Sequence, residues 1–295
     1  MPIKGQMDAR LSEPLPVEQV PKLDISYITP NCSQAVVNLQ MDYLMNKKSI
    51  LTRWLFGSQF TLSLITAWIG TVIYWGVGDY FSSYTFKNGA LDGLKQLFGN
   101  SFFRAGLIEV TGLIALGFAV VWTVLFETTA WLKDQCMKVP DEQKELFGLD
   151  MSEYASLTGK KKFSAEEKKQ IEFMKKNSVH IVYRETPIAF IVKQIVVDTE
   201  ESIEYKVTAL GIRRVYVSAG VLEDLLTYLI RDLHEVNGRN AKCSLDLYNF
   251  ETFDQDIAKS LGFKLEKEVK TNQNWLLRNI FRVTLRTYSY EVTQE

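Results

Sequence analysis

The stretch WLFGSQFTLSLITAWIGTVIYWGVG, residues Trp54 to Gly78, carries no Asp, Glu, Lys, Arg or His over twenty-five consecutive positions. A bilayer core roughly 30 Å thick needs about 20 apolar residues at 1.5 Å each, so Leu55 to Val77 are expected to cross a membrane with some tilt. Ala105 to Phe126 forms a second such run with one ionisable residue, Glu109. The mean hydropathy of the whole chain, -0.06, hides both runs, because more than two thirds of the 295 residues lie outside them.

Two spans cannot line a substrate path by themselves, and ionisable residues do not recur along them, which excludes a transporter. They are expected to anchor a soluble domain. Lys47, Lys48 and Arg53 before the first span, and Lys133, Lys138 and Lys160 to Lys162 after the second, outweigh Lys87, Lys95 and Arg104 between them. By the positive-inside rule both termini are expected in the cytosol. The N-terminal segment has neither the apolar core of a secretory signal nor the Arg-rich, acid-poor pattern of a transit peptide. The odd number of cysteines, Cys32, Cys136 and Cys243, fits a reducing compartment, where the sequon at Asn31 would stay unused. A net charge of -1 argues against nucleic acid as a partner. The Lys clusters from 160 to 176 alternate with Glu166, Glu167 and Glu172 and read as a solvated helix or, in second place, a lipid-headgroup site.

Lys22 to Ile28 alternates polar and apolar residues, as a half-buried strand does, and a helix capped by Asn31 or Ser33 is expected to lead into the first span. Residues 88–98 place Leu91, Leu94 and Phe98 at helical spacing, giving a short interfacial helix or an ordinary loop. Ser164 to Glu167 is a capping box. Strands are expected over 179–183, 188–197, 202–210, 242–248, 263–269 and 280–290, with an amphipathic helix from Gly220 to Leu233 and a short helix from Phe253 to Leu261 closed by Gly262. The expected division is a disordered tail at 1–22, a first strand and helix at 23–50, a membrane hairpin at 51–132, a charged helical linker at 133–176 and the cytosolic domain at 177–295.

This succession, with Leu261-Gly262-Phe263 after an amphipathic helix, resembles the GNAT acetyltransferase fold over Leu23–Leu44 and about 177–291. The resemblance implies an α+β (α/β) GNAT-like domain with an inserted two-helix transmembrane hairpin. Acetyltransferases hold the pyrophosphate of acetyl-CoA in an Arg/Gln-x-x-Gly-x-Gly/Ala loop, whose N–H groups face the anion from a helix N-terminus. Here that loop reads Val217, Ser218, Ala219, Gly220, Val221, Leu222: Gly220 is kept, while Val217 replaces the basic or amide residue and Leu222 the last glycine. Arg213 and Arg214, expected on the preceding strand, read as solvated arginines or as substitutes. Glu223 and Asp224 would repel an anion. The family's frequent general-acid Tyr corresponds to Ala258, which carries no proton to give. Tyr248 ends a strand, and His180 and His234 have no metal-ligand spacing. No catalytic residue, cofactor or metal is therefore expected.

The layout also resembles the fungal endoplasmic-reticulum proteins that help the high-affinity phosphate transporter leave that organelle. This resemblance implies a non-catalytic chaperone and packaging factor in the endoplasmic reticulum membrane, with a polytopic transporter as client and vesicle coat components as further partners. The alternative is a membrane-anchored N-acetyltransferase using acetyl-CoA. Within the spans, Gln59, Thr66 and Glu109 are the candidate client-recognition residues, with hydroxyls also at Thr61, Ser63, Thr71, Thr111 and Thr123. Ala115-x-x-x-Ala119 permits close helix approach.

Overall fold

The computed structural model describes residues 23–83, 95, 97–184, 186–236 and 239–293. The tail at 1–22 and most of the helix expected at 88–98 lie outside the described residues. Among the described residues there are seven strands: β1 (Leu23–Ser26), β2 (Ser178–Tyr183), β3 (Thr186–Asp198), β4 (Ser202–Ile212), β5 (Asn240–Tyr248), β6 (Lys264–Lys270) and β7 (Thr284–Val292). They form one mixed sheet in the order β1-β2-β3-β4-β5-β7-β6. Only β4 and β5 run parallel. A parallel pair needs a crossover, and the long amphipathic helix between these two strands supplies it.

Both faces of the sheet are covered, which is why β3 reads as an unbroken apolar run from Ile188 to Val192. On one face the crossover helix, Val221–His234, buries Val221, Leu222, Leu225, Leu226, Leu229 and Leu233, joined by the short helix Thr252–Ser260. On the other face lies α1 (Ser33–Phe56) with three later helices, Gln143–Phe147, Met151–Ala155 and Ala165–Asn177. These three come from the segment expected as a charged linker. Their charged residues face water, while Phe147, Met151, Tyr154 and Met174 pack with Val36, Leu39, Phe190 and Val192. Each fully buried side chain of this size contributes about 1.5–3 kcal/mol, so the segment is a layer of the domain rather than a spacer. The Tyr154 hydroxyl ties it to the carbonyl of Ile28 (2.9 Å), and the Ser164–Glu167 capping box forms as expected.

The hairpin consists of α2 (Gln59–Ser83) and α3 (Ser101–Thr128), both long and apolar enough to cross a membrane. Helix α1 does not run straight into α2. It stops at Gly57 and Ser58, and the Thr61 hydroxyl bridges the break to the carbonyl of Leu55 (2.8 Å). After α3, helix α4 (Ala130–Lys138) returns along α1. The Gln143, Met151 and Ala165 helices are α5, α6 and α7, and the crossover and Thr252 helices α8 and α9.

Several local expectations are corrected. β1 is exposed rather than half-buried, because it is an edge strand paired on one side only. Neither Asn31 nor Ser33 caps α1: the Ser33 hydroxyl turns back to the carbonyl of Pro30 (2.9 Å) and closes a preceding 3₁₀ turn. Residues 280–283 are not strand, since Leu276–Ile280 forms a π-helical turn before β7.

Candidate functional site

β4 and β5 pair only from Ser202 opposite Asn240 to Lys206 opposite Ser244, and beyond this the strands diverge. A crevice at the carboxyl ends of parallel strands is where open sheets place ligands. Here Tyr43 of α1 fills it. Its neighbours Val36, Val37 and Leu39 pack on the α1 face, but the Tyr43 ring joins the core on the α8 face. Its hydroxyl donates to Asp254 Oδ2 (3.3 Å). One turn further along α1, the Lys47 ammonium lies 4.8 Å from the Tyr43 ring centroid and 2.8 Å from Glu251 Oε1, with the Glu251 side chain only 1% exposed. Glu251 Oε2 also accepts the Tyr248 N–H (2.7 Å), and Gln255 links the Tyr248 carbonyl, the Tyr288 hydroxyl and Arg286. Tyr43 and Lys47 thus divide the crevice into two hollows, one toward Gln40, Thr208 and Asp246, the other toward Ile212, Val217 and Phe253. Burial, and then the Glu251 charge, push the Asp254 carboxyl up to about 6, against the opposing pull of Lys47 and the Tyr43 hydroxyl. Burial likewise holds the Tyr43 hydroxyl well above the ordinary phenol range.

The expected phosphate loop lies beside this crevice. Val217, Ser218 and Ala219 belong to a 3₁₀ turn, and Gly220 starts α8 with φ 79°, a left-handed conformation that glycine adopts without strain. Val221 and Leu222 are buried in the core, so the positions next to Gly220 serve packing. Arg213 and Arg214 stand after β4 rather than on it, exposed over a separate hollow with Asp42, Asn46 and Ser49, whose lining includes no residue of α8. Glu223 and Asp224 occupy the first turn of α8, where an arriving anion would meet them. The residues present do not make the cradle a pyrophosphate needs.

Ala258 is fully buried on α9. The Tyr248 ring stacks on Phe250 (5.2 Å between centroids) and meets Trp131 edge-on, and burial raises its hydroxyl pKa. His180 is a core histidine in β2, its Nδ1 3.0 Å from the Ser26 carbonyl and its pKa lowered by burial. His234 lies on α8 with its Nε2 3.5 Å from the Tyr290 hydroxyl. Among the described residues no group of three or more His, Cys, Asp or Glu could hold a metal ion. Sequence reasoning missed Tyr43, Lys47, Glu251 and Asp254. The partners lie some two hundred positions apart, and nothing local marks any of them.

The hairpin presents the opposite surface. Its helices meet through Val72, Val77, Phe103 and Val110, with Gly76 so close that an added Cβ would lie 2.2 Å from Val110 Cγ2. Gly76, Gly106 and Gly117, rather than Ala115 and Ala119, make the close approach. Elsewhere large apolar side chains are uncovered, including Leu64, Trp68, Trp75, Leu116, Phe118 and Trp122. A groove between Leu64, Trp68, Leu116 and Phe118 runs over Gly117. Thr66, Thr71, Thr111 and Thr123 make no bond between α2 and α3, each donating to the carbonyl four residues earlier, while Thr61 turns to Leu55 of α1. A side-chain bond that joins α2 to α3 is Trp68 Nε1 to the Leu113 carbonyl (3.3 Å). Gln59, Thr66 and Glu109 are all exposed but are not brought together. Glu109 lies beside Val110 at the level of Gly76, about 15 Å along the axis from Thr66 at 1.5 Å per residue.

A family model described as inorganic phosphate transporter chaperone Pho86 matches residues 5–292. No curated protein sequence matches the chain. Among solved structures, NAA60 of Arabidopsis thaliana in complex with a bisubstrate analogue is 13% identical, covering 45% of this chain and 86% of that one, with a TM-score of 0.35. Naa50 of the same plant is also 13% identical, covering 51% and 92% with a TM-score of 0.35. The ribosomal-protein-S18-alanine N-acetyltransferase of Escherichia coli is 17% identical, covering 46% and 82% with a TM-score of 0.33. The mixed sheet resembles GNAT folds, and similarity at this level carries no statement about chemistry.

Proposed function

The chain belongs to the inorganic phosphate transporter chaperone family Pho86, and from that premise we propose that it is a non-catalytic membrane factor that assists folding and exit of a polytopic phosphate transporter from the endoplasmic reticulum. In this reading α2 and α3 cross the membrane, both termini face the cytosol, and the hairpin meets the client's helices while the cytosolic domain shields it or presents it to vesicle coat components. The observation that carries the proposal is the uncovered apolar surface of α2 and α3, which water would not tolerate and which the protein's own domain leaves unpacked. The distribution of Lys and Arg supports the orientation.

The occupied crevice supports the non-catalytic part, since Tyr43, Leu222 and the first-turn carboxylates Glu223 and Asp224 of α8 stand where a bound acetyl-CoA would need room and donors. Two experiments test the reading. Replacing α2 and α3 by a poly-Leu hairpin of equal length is expected to abolish surface delivery of the transporter at normal expression; full delivery would make the hairpin an anchor only. Titration of acetyl-CoA into the purified protein is expected to give no saturable heat, whereas saturable binding with acetyl transfer would restore the enzyme reading.

A further inference from the structure

The connection between β6 and β7 packs against the base of the hairpin. Leu277, Phe281 and Val283 are buried in a cluster with Leu51 and Leu55 of α1, Leu125 of α3 and Leu132 of α4, and Val121 of α3 packs against the same cluster. The Phe281 ring meets Phe60, the second residue of α2, edge-on at 5.9 Å. The loop therefore sits against the first turn of one span and the last turns of the other. Its outer side carries Trp275, 66% exposed, with Leu276 and Ile280 half-buried beside it on a π-helical turn, a geometry frequent at functional sites.

The charge of this segment is one-sided. From Val269 to Tyr290 there is no Asp or Glu, while Lys270, Arg278, Arg282 and Arg286 are present. Arg286 is neutralised by Glu268 (2.9 Å), but Lys270, Arg278 and Arg282 are exposed. Arg282 is held at φ 52°, its carbonyl accepting from Asn249 Nδ2 (3.0 Å), and Arg278 reaches the Asn272 amide oxygen (3.3 Å). An exposed Trp flanked by aliphatic side chains and arginines, level with the end of an apolar span, matches the composition of the headgroup zone.

We infer that the 271–283 loop is a second, interfacial membrane contact: Trp275, Leu276 and Ile280 enter the headgroup region of the cytosolic leaflet, and Lys270, Arg278 and Arg282 bind anionic lipid there. The contact fixes the tilt of the cytosolic domain over the membrane, beyond what the two spans provide. It rests on the reading of α2 and α3 as spans, and the test separates the two.

The test uses the full chain with Cys32→Ser, in nanodiscs of phosphatidylcholine with and without phosphatidylserine, with an environment-sensitive fluorophore on one introduced cysteine at a time. With Trp275→Cys, lipids carrying a quencher near the headgroup are expected to quench the label, more strongly when phosphatidylserine is present. Arg278→Gln combined with Arg282→Asn, which tolerates the positive φ, is expected to weaken the anionic preference by about fivefold per charge removed. A label at Trp68→Cys should be quenched by deep-labelled lipid and one at Val196→Cys, at the far end of β3, by neither. If 275 behaves like 196 while 68 is quenched, the interfacial contact is wrong and the spans stand; if 68 is not quenched, the span reading itself fails. Loss of transporter co-purification on Trp275→Ser, with no lipid quenching at 275, would assign the surface to a protein partner and overturn the inference.

Discussion

Between β4 and β5 the chain fills a gap with a paired polar cluster, whereas along α2 and α3 it leaves large apolar side chains uncovered. In the crevice each charge has a partner within reach: Lys47 with Glu251, Tyr43 with Asp254, Gln255 with Tyr248, Arg286 and Tyr288. On the hairpin, four threonine hydroxyls are spent on their own helices, so the outward surface is apolar with few donors free. The first region is filled from within the chain, with two hollows left on either side of Tyr43 and Lys47. The second is unfinished: the described residues of the chain leave it uncovered.

The largest effect expected on this contrast comes from Lys47→Met, which leaves the Glu251 carboxylate buried without its counter-charge. A loss of about 3–5 kcal/mol is expected by denaturant titration of the solubilised protein. A loss below about 1 kcal/mol would mean that the ion pair does not hold the crevice shut.

Asp254 sharpens the same side through pH. Its folded pKa of about 6 lies above the ordinary 3.8, so the folded state binds the proton more tightly than the unfolded one. The resulting cost is absent below about pH 4, grows as pH rises and is complete above about pH 6, amounting to roughly 2–3 kcal/mol at about 1.4 kcal/mol per unit. Asp254→Asn, which keeps an acceptor for Tyr43, is expected to remove that slope and raise stability at neutral pH; an unchanged slope between pH 4 and 6 would refute the assignment.

On the hairpin, Gly76→Leu is expected to force α2 and α3 apart at a cost of about 1–3 kcal/mol, read as a lower melting temperature in detergent. Gly112→Leu, facing open space, should leave the melting temperature unchanged or slightly higher. Equal effects at the two positions would break the described packing. The smallest effect is expected for Thr66→Val, within about 0.5 kcal/mol, because the hydroxyl it removes bonds only to the Leu62 carbonyl. If transporter delivery nevertheless falls while the hairpin remains stable, the exposed face at Thr66 touches the client.

Much of the architecture is written locally. The charge-free runs, the 3.6-residue stripe of α8, the β-branched runs of β2 and β3 and the Ser164–Glu167 capping box each appear where short-range physics places them. The segment at 133–176 was harder to read, because its surface charge outweighs a sparse set of apolar positions that only the sheet, by packing against them, reveals as a layer. The strand expected from Ile280 begins only at Thr284 for a similar reason: Leu277 and Phe281 follow the cluster at the base of the hairpin rather than the sheet.

The sequence by itself determined that two helices are long and apolar enough to cross a bilayer and that an α+β domain accompanies them. These are properties of length, period and residue type, and they survive without knowledge of any contact. Only the tertiary structure decided that Tyr43 plugs the crevice, since its partner Asp254 lies 211 positions away, and that the 271–283 loop touches Phe60 at the root of the first span. Contacts at that separation leave no periodic trace in the chain, because they depend on how the sheet brings distant elements together.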